Sequence, residues 1–502
     1  MRKQVLFGAA LLALGTAVVS SCSKDEVVID NTPGVETPVE DGVQELILNM
    51  NSAGDGLTTR GGRPLYSSEA AQEIDKVVIK IIDRSGSGET NDKVVRSITI
   101  NNWQEVSKQY TVGGHGRMYT FKLSKDQKVP KGTYEIYAIG YTSTDSSYDF
   151  GAYEILDDTN PFSYQTQTLI STTDPEAEEV FAGSIYRITV DADGNFALTD
   201  NPENNVLTLH RQVAGVIGYY SNIPTLQAGA PINDYVSAEY NYDEYVEGLK
   251  LRLVSSNASN KIVFAGFNSK FTETGEDYMY VVNGSNTNAL TTNSIEFADG
   301  TEAYSFYEIE LAKWFITGDV NHDGLLDVND NRDKEGNRLD NWISPYSSIE
   351  NLEFEEGSVF AGKFVIPFQK VKNSPKTLEL QLVAENALRH NGGSEVYAAG
   401  SIIRSWTINL SSTDPQVKGP DGAGVHARTV SETTGELAVM NPDLEELANS
   451  YSIVRNHLYT VGTKGTNDYN PDTDEPQDLS KGQELILKVN DNWELIHKME
   501  VE

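Results

Sequence analysis

Apolar residues recur at every second position through much of the chain. They form runs rich in Val, Ile, Tyr and Phe that end at clusters of Gly, Asn, Asp, Ser and Pro. A period of two marks β-strands, whose successive side chains point to opposite faces. It predicts strands over Val77–Ile82, Tyr134–Tyr141, Ile185–Val190, Leu251–Val254, Tyr278–Val282, Phe306–Leu311, Phe360–Phe368, Leu378–Val383 and Ile402–Leu410. In one of these, Leu378, Leu380 and Leu382 share a face while Glu379 and Gln381 share the other, the pattern of a half-buried strand. Helical windows are few; the short ones singled out are Ala177–Phe181 and Pro442–Ser450. The expected fold is all-β with minor α: two β-sandwich domains in tandem, of transthyretin-like or Greek-key type. The Asp-, Asn- and Gly-rich segment 191–205 sets a boundary, giving an N-terminal sandwich over 61–203 and a C-terminal one over 204–479.

The two ends of this β pattern match. The segment after a Pro- and acid-rich stretch reads Gln44-Glu45-Leu46-Ile47-Leu48-Asn49-Met50, and a late one reads Gln483-Glu484-Leu485-Ile486-Leu487-Lys488-Val489. Alternation continues beyond the second copy through Trp493, Leu495, Met499 and Val501, broken at Asp491 and His497. Two amphipathic strands share such a pentapeptide either by chance or because both fit one groove. In the second case a strand bearing Leu46, Leu48 and Met50 leaves. A terminal segment, 480–502, bearing Leu485, Leu487, Val489, Trp493, Leu495, Met499 and Val501, then replaces it from a neighbouring copy by β-strand addition. Residues 52–63, with Arg60-Gly61 among small flexible residues, read as a protease-accessible loop through which the first strand is released.

Charge and the first residues narrow the setting. The 502 residues hold 39 Lys plus Arg against 74 Asp plus Glu, a formal charge of -35. That excess argues against nucleic acid, which requires a basic face. Arg2 and Lys3, the apolar run Val5–Val19, small Ser20 and Ser21, and then Cys22 compose a secretory signal over 1–22. The run is short for a membrane span. Val19-Ser20-Ser21-Cys22 resembles a bacterial lipobox with Val in place of the usual Leu, which implies lipidation, palmitate included, at Cys22. The acidic Ser23-Lys24-Asp25-Glu26 is similar to a surface-export signal of outer-membrane lipoproteins. Residues 23–60 then comprise a tether, the removable strand and the maturation site. Cys22 is the single cysteine, so disulfides and cysteine-ligated zinc are excluded.

One segment carries metal-binding chemistry. Asp319, Asn321, Asp323, Leu325, Asp327 and Asp330 occupy positions 1, 3, 5, 7, 9 and 12 of an EF-hand-like loop, with Gly324 at the sharp turn. Asp330 stands where Glu is usual, as in the dockerin-type loops that it resembles. Leu325 offers its backbone carbonyl. The expected cofactor is calcium, held as a structural clip; the alternative is an acidic Asn/Gly turn. No catalytic constellation emerges: the seven His lack metal-ligand spacing, and neither a nucleophile elbow nor a phosphate loop is present. Gly419–Gly424 reads as a surface loop. The Tyr-rich Tyr240–Tyr245 is either a sugar-stacking surface or ordinary packing. An enzyme is not expected.

Taken together, the lipobox, the strand ahead of Arg60-Gly61, Arg211-Gln212-Val213-Ala214-Gly215-Val216, Val454-Arg455-Asn456-His457-Leu458-Tyr459 and the terminal alternation with Trp493 resemble the fimbrillins. These are the major stalk subunits of type V fimbriae of Gram-negative bacteria. Asn492 departs from the Pro common before the terminal Trp. The resemblance implies export as an outer-membrane lipoprotein, cleavage after Arg60 by an Arg-specific protease, and donor-strand polymerisation into an extracellular fimbrium. It also implies identical subunits as partners, with accessory tip and anchor subunits and surface ligands. Two alternatives stay open: a surface lipoprotein that binds glycans for nutrient uptake, and a tip or anchor adhesin of the same fimbria.

Overall fold

A computed structural model describes residues 28–30, 44–50, 74–83, 93–109, 117–123, 127–142, 167–169, 177, 179–198, 206–227, 241–256, 258, 261–263, 279–281, 284–285, 295–348, 352–366, 378–390, 393–410, 426–430, 437–439, 453, 458–462, 475–481 and 484–490. Its longer strands are β1 (Glu45–Met50), β2 (Lys76–Asp83), β3 (Lys93–Ile100), β4 (Arg117–Lys122), β5 (Gly132–Tyr141), β6 (Phe181–Val190), β7 (Val206–Arg211), β8 (Ala214–Ser221), β9 (Leu249–Ser255), β10 (Tyr304–Glu310), β11 (Ser358–Val365), β12 (Leu378–Ala384), β13 (Ser401–Leu410), β14 (Leu458–Val461) and β15 (Glu484–Asn490). Every run expected from alternation overlaps an observed strand; Tyr278–Val282 appears as the short Met279–Val281. The fold is all-β.

The expected helix at Ala177–Phe181 is absent. Ala177 instead forms an antiparallel bridge with Phe364 of β11, and Phe181 opens β6. One helical turn nucleates poorly and forms few internal hydrogen bonds, whereas the extended chain finds a partner at a sheet edge. The other expected helix, Pro442–Ser450, lies outside the described residues. Helical turns occur at α1 (Trp103–Val106) and α2 (Tyr242–Glu247). In α2 the ring face is inward: Tyr242 and Tyr245, three residues apart, are both buried. They are therefore core residues and not a sugar platform.

The first large sheet runs β3-β2-β5-β6-β7-β1-β4, with Val28–Asp30 beyond β3 and Lys108–Gln109 beyond β4. β7 is shared along its length: His210 and Arg211 pair with β6, while Val206–Leu209 pair with β1. The sheet thus folds over itself into two layers. Between them lies a core of Leu48, Val77, Ile79, Ile81, Ile98, Trp103, Phe121, Ile136, Ile188, Leu207 and Leu209. The second sheet runs β10-β9-β12-β13-β15-β14-β8-β11. Its core includes Ile217, Tyr219, Leu251, Leu253, Leu380, Leu382, Trp406 and Tyr459. The same contiguous cluster reaches Val78, Ile82, Tyr137 and Ile139 on the other face of β2 and β5, so these strands are buried on both sides.

The chain passes from the first sheet to the second at Gln212–Val213, between β7 and β8. Both residues are fully buried. Arg211 forms an ion pair with Glu179 through Nε (2.8 Å) and stacks its guanidinium on Phe181, 5.1 Å from the ring centre. The Gln212 N–H donates to the Val180 carbonyl at 2.8 Å. The segment Arg211–Val216 is therefore a locked corner, with its charge paired inside the junction.

The half-buried reading of β12 is corrected. Glu379 and Gln381 are as buried as the leucines on the opposite face. A hairpin over 295–303 covers them: the Ala298 N–H donates to Glu379 Oε1 (2.9 Å), and Gln381 Nε2 donates to the Glu296 carbonyl (2.9 Å). A second layer buries polar side chains only when it supplies their hydrogen-bond partners, which alternation along one strand does not reveal.

Candidate functional site

β1 carries the first copy of the repeated pentapeptide and occupies an interior slot. Ile47–Met50 run parallel to Val206–Leu209 of β7, and Glu45–Met50 run antiparallel to β4, with Glu45 opposite Lys122 and Met50 opposite Arg117. Leu48 is completely buried and belongs to the core with Phe121, Leu207 and Leu209. Leu46 stands opposite Phe121 in the ladder with β4. Lys122 and Glu45 form an ion pair of 2.6 Å across the rung.

The slot is closed at one end by Gln44, which is 2% exposed. Its Nε2 donates to the Val129 carbonyl at 2.7 Å, and its Oε1 accepts the Val129 N–H at 2.8 Å. The Leu123 N–H donates to the Gln44 carbonyl at 2.9 Å. Alternation singled out the leucines of this segment and missed Gln44. The available signal was the repetition of Gln at 44 and 483; its partner lies 85 residues away in sequence, where no local pattern reaches.

β15 carries the second copy. Glu484–Leu487 run parallel to Thr407–Leu410 of β13, and Lys488–Asn490 run antiparallel to β14. Leu485 is buried. Both copies thus lie between one parallel and one antiparallel neighbour. The holds differ: β1 is flanked on both sides over the same residues, whereas β15 meets β13 with its first half and β14 with its second. In this single chain Leu485, Leu487 and Val489 therefore belong to their own second sheet. Trp493, Leu495, Met499 and Val501 lie outside the described residues, as do Cys22, Arg60 and Gly61.

The acidic loop is described throughout. Gly324 takes φ 85° and His322 φ 52°, the left-handed turns that fold the loop back on itself. Asp319 and Asp330 are buried, and Asn321, Asp323 and Asp327 lie toward the surface. Asp319 accepts the Gly324 N–H (2.9 Å) and the Tyr242 hydroxyl, which also meets Thr225 Oγ1 at 2.7 Å. Asp330 accepts the Val320 N–H (2.9 Å) and the Asp327 N–H (3.0 Å), tying both ends of the loop together. Burial pushes the Asp330 carboxyl up to about 7, with the neighbouring Asp319 and Asp327 charges adding to the rise. It also raises Asp319. His322 Nε2 lies 3.0 Å from Asp243 Oδ1 at the start of α2. The Leu325 backbone is engaged in a two-residue pairing with Ile223–Pro224. Among the described residues, no group of three or more Asp, Glu, His or Cys side chains stands in metal-holding geometry. The loop is instead closed by its own N–H groups.

Among the described residues, no helix is long and apolar enough to cross a membrane. No protein-family model matches the sequence. The search of curated proteins likewise returns no match. Among solved structures, the chain is similar to a protein of Parabacteroides distasonis assigned to cell adhesion, at 12% identity and TM-score 0.35, over 90% of this chain and 97% of that one. It is also similar to the C-terminally truncated tip fimbrial protein Mfa3 of Porphyromonas gingivalis, at 9% identity and TM-score 0.32, over 89% and 98%. A fimbrial assembly protein of Parabacteroides distasonis matches at 11% identity and TM-score 0.27, over 71% and 99%. Superpositions this loose carry no argument of their own.

Proposed function

We propose that the chain is a structural subunit of a cell-surface fimbrium. It is exported as a lipoprotein through Cys22, cleaved after Arg60, and polymerised when a second copy lends its terminal segment to the slot that β1 leaves. The observation that supports this reading is the slot itself. β1, which Arg60-Gly61 follows in the sequence, lies inside the first sheet, and its pentapeptide recurs in a strand with the same kind of neighbours. Loss of β1 would expose the edges of β7 and β4 and the apolar bed of Leu48, which a new strand must cover. The half-and-half hold on β15 makes it the easier of the two copies to shift, and residues 491–502 extend the lent segment. The role is structural and not catalytic.

Purified precursor treated with an Arg-specific protease is expected to give SDS-resistant ladders, and deletion of residues 481–502 to abolish them. Ladders that persist after the deletion overturn strand donation. The N-terminus of the protein recovered from cell surfaces separates this reading from a glycan-binding lipoprotein: Gly61 supports the polymer, a lipidated Cys22 the binder.

For the loop over 319–330 we propose calcium as a structural clip, supported by the ligand spacing, the turn at Gly324 and the burial of Asp319 and Asp330. Binding would require these carboxylates to turn from backbone N–H groups to the ion. Titration calorimetry is expected to show one calcium bound and none in Asp319→Ala; absence of heat with the unaltered protein removes the assignment.

A further inference from the structure

Apolar alternation sets the register of a strand entering the β1 slot only in part. A one-residue slip turns the leucines to the wrong face, but a two-residue slip still places Leu485 or Val489 at the core position of Leu48 and misplaces one flanking side chain of that face, Gln483 at the place of Leu46 or Asp491 at that of Met50. A polar, buried group inside the slot tells these registers apart more sharply. The slot contains such a group: the N–H and C=O of Val129, a fully buried residue, both bonded to the Gln44 amide.

We infer that the paired N–H and C=O of Val129 are a register reader, and that Gln483 of an incoming second copy is the residue read. This inference rests on the strand-donation reading and adds the determinant of its specificity. Aligned on the repeated pentapeptide, Gln483 takes the place of Gln44 and Lys488 that of Asn49. A slip of two residues brings Lys481 or Leu485 to that place. Neither side chain can both donate to the carbonyl and accept from the N–H, so a buried backbone pair loses at least one partner. A primary amide satisfies both at once. The loss of one or two buried hydrogen bonds corresponds to a preference of roughly tenfold or more for the correct register.

Disulfide trapping reads the register directly. Met118, 38% exposed on β4, stands opposite Asn49, so a correctly seated strand places Lys488 there and a two-residue slip places Asn490 there. Opposed residues of an antiparallel pair lie within disulfide range. In a chain carrying Cys22→Ser and cleaved by an Arg-specific protease, Met118→Cys with Lys488→Cys is expected to give disulfide-linked ladders. Met118→Cys with Asn490→Cys is expected to give at least tenfold less. Adding Gln483→Leu should bring the two pairs within about twofold of each other. A synthetic 480–502 peptide should block ladder growth, and the same peptide with Gln483→Leu should need about tenfold more; this arm is independent of how the altered chain folds. A full register preference in Gln483→Leu, or equal potency of the two peptides, overturns the inference and leaves strand donation standing. Absence of ladders and cross-links in chains that retain Gln483 overturns strand donation, and the register reader with it.

Discussion

Gly218 of β8 sits beneath the point where the hydroxyls of Tyr220 and Tyr307 meet at 2.7 Å across the second core. A Cβ at this position would lie 2.1 Å from the Tyr307 hydroxyl and 2.5 Å from that of Tyr220. Both rings are buried and neither can swing outward, so the smallest side chain is required. Gly218→Ala is expected to lower stability by about 1–3 kcal/mol, the usual cost of overpacking, measurable as a lower denaturation midpoint. The same pair sets an alkaline limit. Burial raises both phenols above their ordinary value near 10. A folded value above the unfolded one means that the native state holds its protons more tightly, so stability is full below pH 10 and falls as pH rises beyond it. Absorbance at the tyrosinate band should show these two rings ionising only as the protein unfolds. An early, fully reversible titration of all tyrosines in the folded state would contradict this.

Among the elements, β1 is an interior strand in a slot that a second, similar strand could fill. Leu48 lends its whole side chain to the core, so Leu48→Ala in the precursor is expected to cost about 2–5 kcal/mol. On the strand-donation reading the same substitution is neutral once β1 has been cleaved away: subunits matured from Leu48→Ala should form ladders as stable to heat as those from the unaltered chain. A precursor unaffected by the change would place Leu48 outside the core, and a lasting defect after cleavage would show that β1 is retained. The acidic loop is a different kind of element. Its carboxylates are already engaged by the N–H groups of the loop and by Tyr242, so it is a turn closed by its own hydrogen bonds.

At the scale of the whole molecule, the two sheets share one apolar cluster. The outer face of β2 and β5 contributes Val78, Ile82, Tyr137 and Ile139 to the same cluster as Tyr219 and Leu251 of the second sheet. The connection between the sheets is two buried residues beside the Arg211–Glu179 pair. Elements that share a core and a rigid corner unfold together. Calorimetry of the precursor is expected to show one cooperative transition whose calorimetric and van't Hoff enthalpies agree; two separable transitions would mean that the halves are energetically independent.

The alternation of side chains determined the class of fold and many of the longer strands, though not β3, β4, β8 or β14, because period two is a local property that a sheet satisfies most clearly where one face is buried and the other is not. The acidic loop over 319–330 and the repeated pentapeptide were legible for the same reason: spacing along the chain specifies a turn or a strand. Three things were decided only by tertiary structure. Glu379 and Gln381 became buried because a hairpin from elsewhere covers them. The short segment from Ala177 took an extended form because β11 offered a hydrogen-bond partner. Gln44 became the end-stop of its slot because Val129, distant in sequence, turns its N–H and C=O toward it. Each depends on which distant backbone groups come within hydrogen-bond reach, and that is fixed by how the layers close and not by any local period.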